Sequence, residues 1–300
     1  MVRQIRHKLQ HSSFPGFEGI PIWDVGAFFL QETRRDRLTV RASGMAFTFL
    51  LACFPLLLFF FSAIPYIPIV NFDETALDFL STFIPGDFVR AVDGPIRNIL
   101  EERRFGALSA GFFGAFFFGT NGVNSMIAAF DKQHSGYLKR SFWRLRGAAI
   151  RLTVYILILF CGSLLLIVGG GELAKEVAFD RNTITNMLLV FRWLVIVGLY
   201  FTTISLIYYY GPSKKQKWKF VTPGSTLATM MSIAATVGFS IFLSRFDPYH
   251  THFGPMGTLL VFMIWLNINT FVLLVGFELN NSIEMNRLRL EGENPGEIMD

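Results

Sequence analysis

Apolar and polar positions along this chain are gathered into blocks and are not interleaved. Six apolar blocks reach the length of about 20 residues that a helix needs to cross a hydrocarbon layer about 30 Å thick. They run from about Gly44 to Ile67, Phe105 to Phe130, Gly147 to Gly171, Met187 to Tyr210, Thr222 to Phe246 and Pro255 to Ile283. Long unbroken runs exclude the short alternating strands of a closed barrel, so each block predicts a helix. The predicted fold class is all-α: a polytopic integral membrane protein with six transmembrane helices and added amphipathic interfacial helices. No internal repeat or low-complexity tract divides it. The expected organisation is a cytoplasmic N-terminal segment (1–43), a six-helix transmembrane domain (44–283) and a cytoplasmic tail (284–300).

Two polar stretches carry apolar residues at helical spacing and predict helices lying on the membrane surface. One is Ile22 to Leu38, with Ile22, Val25, Phe28 and Phe29 near one face. The other lies in the external loop 68–104, where Leu77, Leu80, Phe83 and Ile84 precede Pro85-Gly86. That loop reads as a lid or scaffold over the external mouth. Its Asp73–Arg104 part nets −3, with four basic and seven acidic residues. Basic residues set the orientation. Of the 27 Lys and Arg, 18 fall in the segments on the N-terminal side, 7 in those on the other side, and Arg151 and Arg192 inside spans. Both termini are therefore expected in the cytoplasm, with Tyr208-Tyr209-Tyr210 as an interfacial aromatic belt. Met1–Arg41 lacks the short apolar core of a cleavable signal peptide, so the first span is expected to remain as an anchor.

Composition agrees with this reading. Hydrophobic residues make up 52% of the chain and charged ones 16%, with 34 Phe. A soluble globule carries about 25% charged residues. A disordered chain and a disulfide scaffold are excluded on the same grounds. Cys53 and Cys161 fall within apolar blocks and are expected as buried small hydrophobes. The net charge of +5 follows from the placement of basic loops and predicts no nucleic-acid partner.

Polar side chains inside spans mark buried faces or pathways, because hydrocarbon rejects them. Asn267 and Glu278 are eleven residues apart and fall within about 20° of each other on a helix, while Asn269 and Asn280 fall on nearly the opposite side. A helix polar on two sides is expected at the centre of the bundle. Glu278 is either a structural carboxylate or a coupling carboxylate with a raised pKa. The structural reading is preferred, since a carboxylate near an interface can hydrate. Arg151 and Arg192 are expected to snorkel to lipid phosphates; either could instead pair with Glu278 or Glu172, and the depth of Glu278 makes Arg151 its better partner. The second span carries Ala107, Gly111, Ala115 and Gly119 at four-residue spacing, a surface for close approach by the sixth span. Asn121 and Asn124 share a face and serve either interhelical hydrogen bonds or a pathway lining. Pro55 frees the carbonyl of Leu51 and predicts a kink, with a gating hinge as the alternative.

Motifs for phosphate cradling (GxxxxGK), zinc hydrolysis (HExxH) and nucleophilic serine (GxSxG) do not occur in the sequence. His250 and His252 supply two ligands, too few for a metal site. The expectation is a protein that is not an enzyme and takes no cofactor or metal.

Three stretches carry a resemblance. Ala42-Ser43-Gly44-Met45-Ala46-Phe47 leads to Phe54-Pro55-Leu56-Leu57. Tyr210-Gly211-Pro212 precedes Trp218-Lys219 and Pro223-Gly224. Gly254-Pro255-Met256-Gly257 and Trp265 precede Gly276-Phe277-Glu278-Leu279-Asn280. In this order they resemble the YihY/virulence factor BrkB family, whose older name is ribonuclease BN, over nearly all of Arg41 to Ile283. The chain departs from the pattern at Pro255 and Phe277, where small residues are more usual. It departs again at Ala129-Phe130-Asp131, where an Asn-containing ending is common. The resemblance implies a six-span bacterial inner-membrane protein, in a family linked to envelope resistance and proposed transport of lipidic envelope material.

The sequence thus points to a transporter or flippase-like protein for an amphipathic envelope lipid or small solute. Its expected pathway residues are Asn121, Asn124, Asn267, Glu278 and Asn280. Expected partners are membrane lipids and the cargo, with a homo-oligomer left open. The rival readings are a non-transporting scaffold of an envelope complex acting through Asp73–Arg104, and a membrane-bound enzyme of which ribonuclease is the historical form.

Overall fold

The computed structural model describes Pro21 and residues 38–63, 105–131, 141–177, 183–213, 219–245 and 248–290. The predicted surface helices of 22–38 and 68–104 lie outside these residues, apart from Leu38. The described elements are six helices: α1 (Leu38–Ala63), α2 (Phe105–Phe130), α3 (Phe142–Val177), α4 (Thr183–Tyr210), α5 (Pro223–Arg245) and α6 (Pro248–Leu290). All but α2 are long and apolar enough to cross a membrane. Helix α2 has the length, 26 residues without a charge, but its glycines, asparagines and hydroxyls dilute its apolarity.

The bounds of α2 are those its apolar block predicts. Helix α1 begins at Leu38, ahead of the expected Gly44, and so draws Arg41 into the helix. Helix α6 is longer than its block at both ends. Its 43 residues extend about 64 Å, twice the thickness of the hydrocarbon layer.

Each helix packs on its neighbours in sequence, and α6 returns to α1, so the six close into a ring. Helix α6 also touches α2 across the ring. The core is not spread along the helices. It gathers Leu38, Ala42 and Met45 at the start of α1 with Met126, Ile127 and Phe130 at the end of α2. Ala149 and Leu152 near the start of α3, and Ile204 and Tyr208 near the end of α4, join the same cluster. Consecutive helices are therefore antiparallel, and the packed end is the one where odd helices begin and even helices end. Toward the other end apolar side chains are open, among them Phe191 and Leu194 of α4, Val237 and Ile241 of α5, and Leu260 of α6.

Helix α6 is central only over its C-terminal half. Residues 274–278 are buried without a break, whereas Leu260, Met263 and Ile264 are exposed. The small-residue stripe of α2 does not receive α6, the partner that the sequence suggests: Gly111 receives α1, and Gly119 stands nearest Thr153 of α3. A Cβ at Gly111 would stand 2.5 Å from the backbone N of Phe59, and one at Gly114 would stand 2.8 Å from Pro55 Cβ. An approach this close leaves no room for a side chain, which is why Gly111 and Gly114 serve the most extensive seam, α1 on α2. Pro55 sits at that seam with α1 helical on both sides of it.

Three aromatic residues lock α2, α4 and α6 at the packed end. Phe130 stacks on Phe277 with ring centroids 4.5 Å apart and meets Tyr208 edge-on at 6.0 Å. The Tyr208 hydroxyl donates to the carbonyl of Leu273 at 2.7 Å. Two of the departures from the family pattern, at Phe277 and at Phe130, thus meet in space. The cysteines are both free, Cys53 half-buried and Cys161 exposed, so the expected burial of Cys161 is corrected.

The α1–α2 seam yields a test. Gly111→Ala places a methyl group against backbone and is expected to cost about 2 kcal/mol, lowering the thermal midpoint of the detergent-purified protein by several degrees. Gly44→Ala, where an added Cβ meets nothing within 4 Å, is expected to leave that midpoint unchanged or slightly raised.

Candidate functional site

The polar groups of α6 fall on two sides, and each side has its own neighbour. Asn267, Thr270 and Glu278 share the side that faces α1. The Asn267 amide donates to Ser43 Oγ at 2.8 Å, and Thr270 Oγ1 donates to the carbonyl of Ala42 at 3.0 Å. Arg41 Nη1 donates to Glu278 Oε1 at 3.4 Å. Consecutive residues Arg41, Ala42 and Ser43 therefore meet α6 at descending positions, as antiparallel helices must.

The carboxylate of Glu278 is completely buried and Arg41 is 21% exposed. A carboxylate this far from water needs a cation beside it, and the guanidinium supplies one. Arg151, the alternative partner that depth recommends, stands exposed on α3. The correction follows from the ring: α3 packs on α2 and α4, whereas α1 lies directly against α6.

The opposite side of α6 faces α5. Asn280 Oδ1 accepts from the backbone N–H of Gly224 at 2.7 Å, and its Nδ2 donates to Thr222 Oγ1 at 2.9 Å. Thr222 is the N-cap of α5: its Oγ1 accepts from the Ser225 N–H at 3.1 Å, while Ser225 Oγ accepts from the Thr222 N–H at 3.1 Å. Pro223 occupies the first helical position and has no N–H to satisfy. The first turn of α5 is thereby satisfied within the protein although it is buried. Gly224 and Gly276 allow this approach, since a Cβ at Gly276 would stand 2.6 Å from the Gly224 carbonyl oxygen. Further along, Trp265 Nε1 donates to Thr236 Oγ1 of α5 at 3.3 Å, and Asn269 Nδ2 donates to the carbonyl of Trp265 at 3.0 Å.

The other sequence-predicted residues lie on a different seam. Asn121 of α2 accepts from Arg146 Nη1 of α3 at 2.6 Å, and the Arg146 guanidinium lies 6.0 Å from the Phe117 ring centre. Asn124 is half-buried on α2. Asn121 and Asn267 are thus engaged on separate seams, α2–α3 and α1–α6, and not with each other. Asp131, just past α2, accepts from both the N–H and the Oγ of Ser213 at 2.9 and 2.7 Å, tying the ends of α2 and α4.

Sequence reasoning misses Arg41, Ser43 and Thr222. Arg41 stands at the edge of an apolar block, where hydropathy alone assigns it to a loop. The available signal is Leu38-Thr39-Val40 ahead of it, which already has apolar character. For Thr222 the signal is Thr-Pro-Gly-Ser, a cap followed by Pro and a hydroxyl at the third helical position.

A ring of long apolar helices sealed at one end by buried polar contacts defines a polytopic helical membrane protein. The chain belongs to the virulence factor BrkB family, whose model matches residues 29–297. It is 28% identical over 258 residues to a Bacillus subtilis protein named putative ribonuclease-like protein YfkH, covering 85% of this chain and 93% of that one. It is 26% identical over 274 residues to a UPF0761 membrane protein of Xanthomonas oryzae, covering 89% of this chain. A Xanthomonas axonopodis UPF0761 membrane protein matches to the same extent. The chain spans 62% of the length of these Xanthomonas relatives. No solved structure matches it.

Both sides of α6 can be probed by stability. Arg41→Met strands a buried carboxylate and is expected to cost about 3–5 kcal/mol, while adding Glu278→Leu is expected to recover most of that. Denaturant titration of the single and double variants in one detergent checks both. Asn280→Ala leaves the buried Gly224 N–H without its acceptor and is expected to cost about 2 kcal/mol in the same titration.

Proposed function

We propose that this chain is a transporter or flippase-like protein of a bacterial inner membrane, with both termini cytoplasmic, moving an amphipathic envelope lipid or small solute. The observation that carries this reading is the contact of the buried Glu278 carboxylate with the part-buried Arg41 on the seam where α6 meets α1. Dehydrating two charges costs several kcal/mol, and apolar residues of similar volume hold a seam as well or better. A seam built only to stay shut gains nothing from such a pair. A seam that must separate and readmit water does, because both groups are stable in water once apart. The α1–α6 seam is thus the gate, Glu278 and Asn267 are the groups a polar cargo meets when it opens, and Asn280 holds the α5 end in place. Asn121, bonded to Arg146 on the α2–α3 seam, and Asn124, half-buried on the same helix, are the remaining polar groups of the pathway. The basic segments fall on the packed end, which supports the cytoplasmic assignment of that end.

Hydrolysis, suggested by the name of the Bacillus relative, is the weaker reading. Among the described residues no three of His, Cys, Asp or Glu come together. The buried acid at the seam is moreover engaged by the guanidinium of Arg41.

Purified protein in liposomes tests the proposal. The wild type is expected to carry a headgroup-labelled phospholipid between leaflets about tenfold faster than protein-free vesicles, or more. Glu278→Gln is expected to lower that rate about tenfold, the loss of one charge-assisted contact. A wild type no faster than empty vesicles for both labelled lipid and small polar solutes sinks the transport reading. Stable capture of a partner by the same protein would then favour a scaffold.

A further inference from the structure

Helix α3 carries a charged feature that the seams do not use. Arg144 and Arg151 are both exposed. Seven residues place them within about 20° of one another around the helix and about 10 Å apart along it. Ile158, 64% exposed, continues the same line. This line lies away from Ala149, Leu152 and Thr153, which are buried in the bundle. Arg144 and Arg151 therefore point out of the ring, toward lipid.

An arginine is expensive on a lipid face unless it meets an anion. Arg151 lies nine residues inside an apolar helix that begins at Phe142, about 13 Å along it. Side chains on a helix tilt toward its N-terminus. The guanidinium of Arg151 thus reaches back toward the membrane surface and toward Arg144. Between them, Gly147 leaves the surface open: a Cβ there would meet nothing within 4 Å. From Phe142 to Gly171 the sequence of α3 has no Asp or Glu, so no acid along that stretch competes for the pair. Among the described residues neither arginine is ion-paired. Phe142 and Trp143, 70% and 79% exposed, stand at the start of the helix as an aromatic interfacial anchor.

We propose that the outward face of α3, from Arg144 through Gly147 to Arg151, is a binding site for the phosphate headgroup of an anionic membrane phospholipid. Arg151 reaches back past Gly147 to the phosphate, Arg144 meets it from the side of the membrane surface, and the acyl chains run along Val154 and Ile158. The occupant belongs to the leaflet at the packed end of the bundle. The site serves the chain whether or not it transports, since it lies away from the Arg41–Glu278 seam.

Native mass spectrometry of the detergent-purified full chain tests this, with phosphatidylglycerol or phosphatidylcholine added. The wild type is expected to retain phosphatidylglycerol in preference to phosphatidylcholine. Arg144→Gln with Arg151→Gln is expected to weaken that retention about tenfold, while Arg192→Gln on α4 leaves it unchanged. Equal retention of the two lipids, or no change in the double variant, overturns the site. Displacement by millimolar inorganic phosphate also overturns it, as the mark of a free-anion site. Should the double variant fail to fold, salt decides: wild-type retention must fall between about 0.05 and about 0.5 M NaCl, and indifference to salt overturns the proposal.

Discussion

Helix α6 is polar on two sides, and hydrocarbon accepts neither. Glu278, Thr270 and Asn267 require a neighbour on one side, and Asn280 requires one on the other. The chain meets both demands by bringing α1 against α6, the first and last of the described helices, while α5 covers the remaining side. Closure of the ring follows from this. The six described helices, packed only through sequential neighbours, would be an open row, and the α1–α6 contacts turn it into a ring.

The two seams of α6 differ in kind. On the α5 side, Asn280, Thr222 and Ser225 satisfy a buried helix start, with Gly224 and Gly276 letting the backbones approach. Fixed backbone donors in a dry place make that seam costly to open. On the α1 side one backbone group takes part, the Ala42 carbonyl accepting from Thr270, while the other contacts join side chains that water can solvate, and Arg41 is already partly open to solvent. The α5–α6 contact is therefore costlier to open than the contact of α6 with α1, which is itself packed on α2 through Gly111 and Gly114. This is the physical asymmetry behind the proposed gate. The cluster of Phe130, Tyr208 and Phe277 ties α2 and α4 to α6 at the packed end.

Some of the site is legible without coordinates. Eleven-residue spacing puts Asn267 and Glu278 on one side and Asn269 and Asn280 on the other, and the helix does present them so. The periodicity of one helix is local information. Which neighbour each side meets is not, and there expectation and structure part. Similar depth in the membrane recommends Arg151 as the partner of Glu278, and hydropathy leaves Arg41 in a loop, yet Arg41 is the residue that pairs. Likewise the glycine stripe of α2 announces close packing without saying with what. Any helix with a flat flank would satisfy Gly111, and only the order of packing selects the Phe59 turn of α1.

The number, type and approximate limits of the helices are written in the order of residues, because exclusion of backbone polar groups from hydrocarbon leaves a long apolar run no other structure. So are the faces that must be buried, because helical spacing is a property of the chain alone. Packing in three dimensions made the remaining choices: that the ring closes between α1 and α6, that Arg41 pairs with Glu278, that Asn280 secures the start of α5, and that the core gathers at one end. These select among partners many residues apart through the fit of whole helix surfaces, and no local pattern contains them.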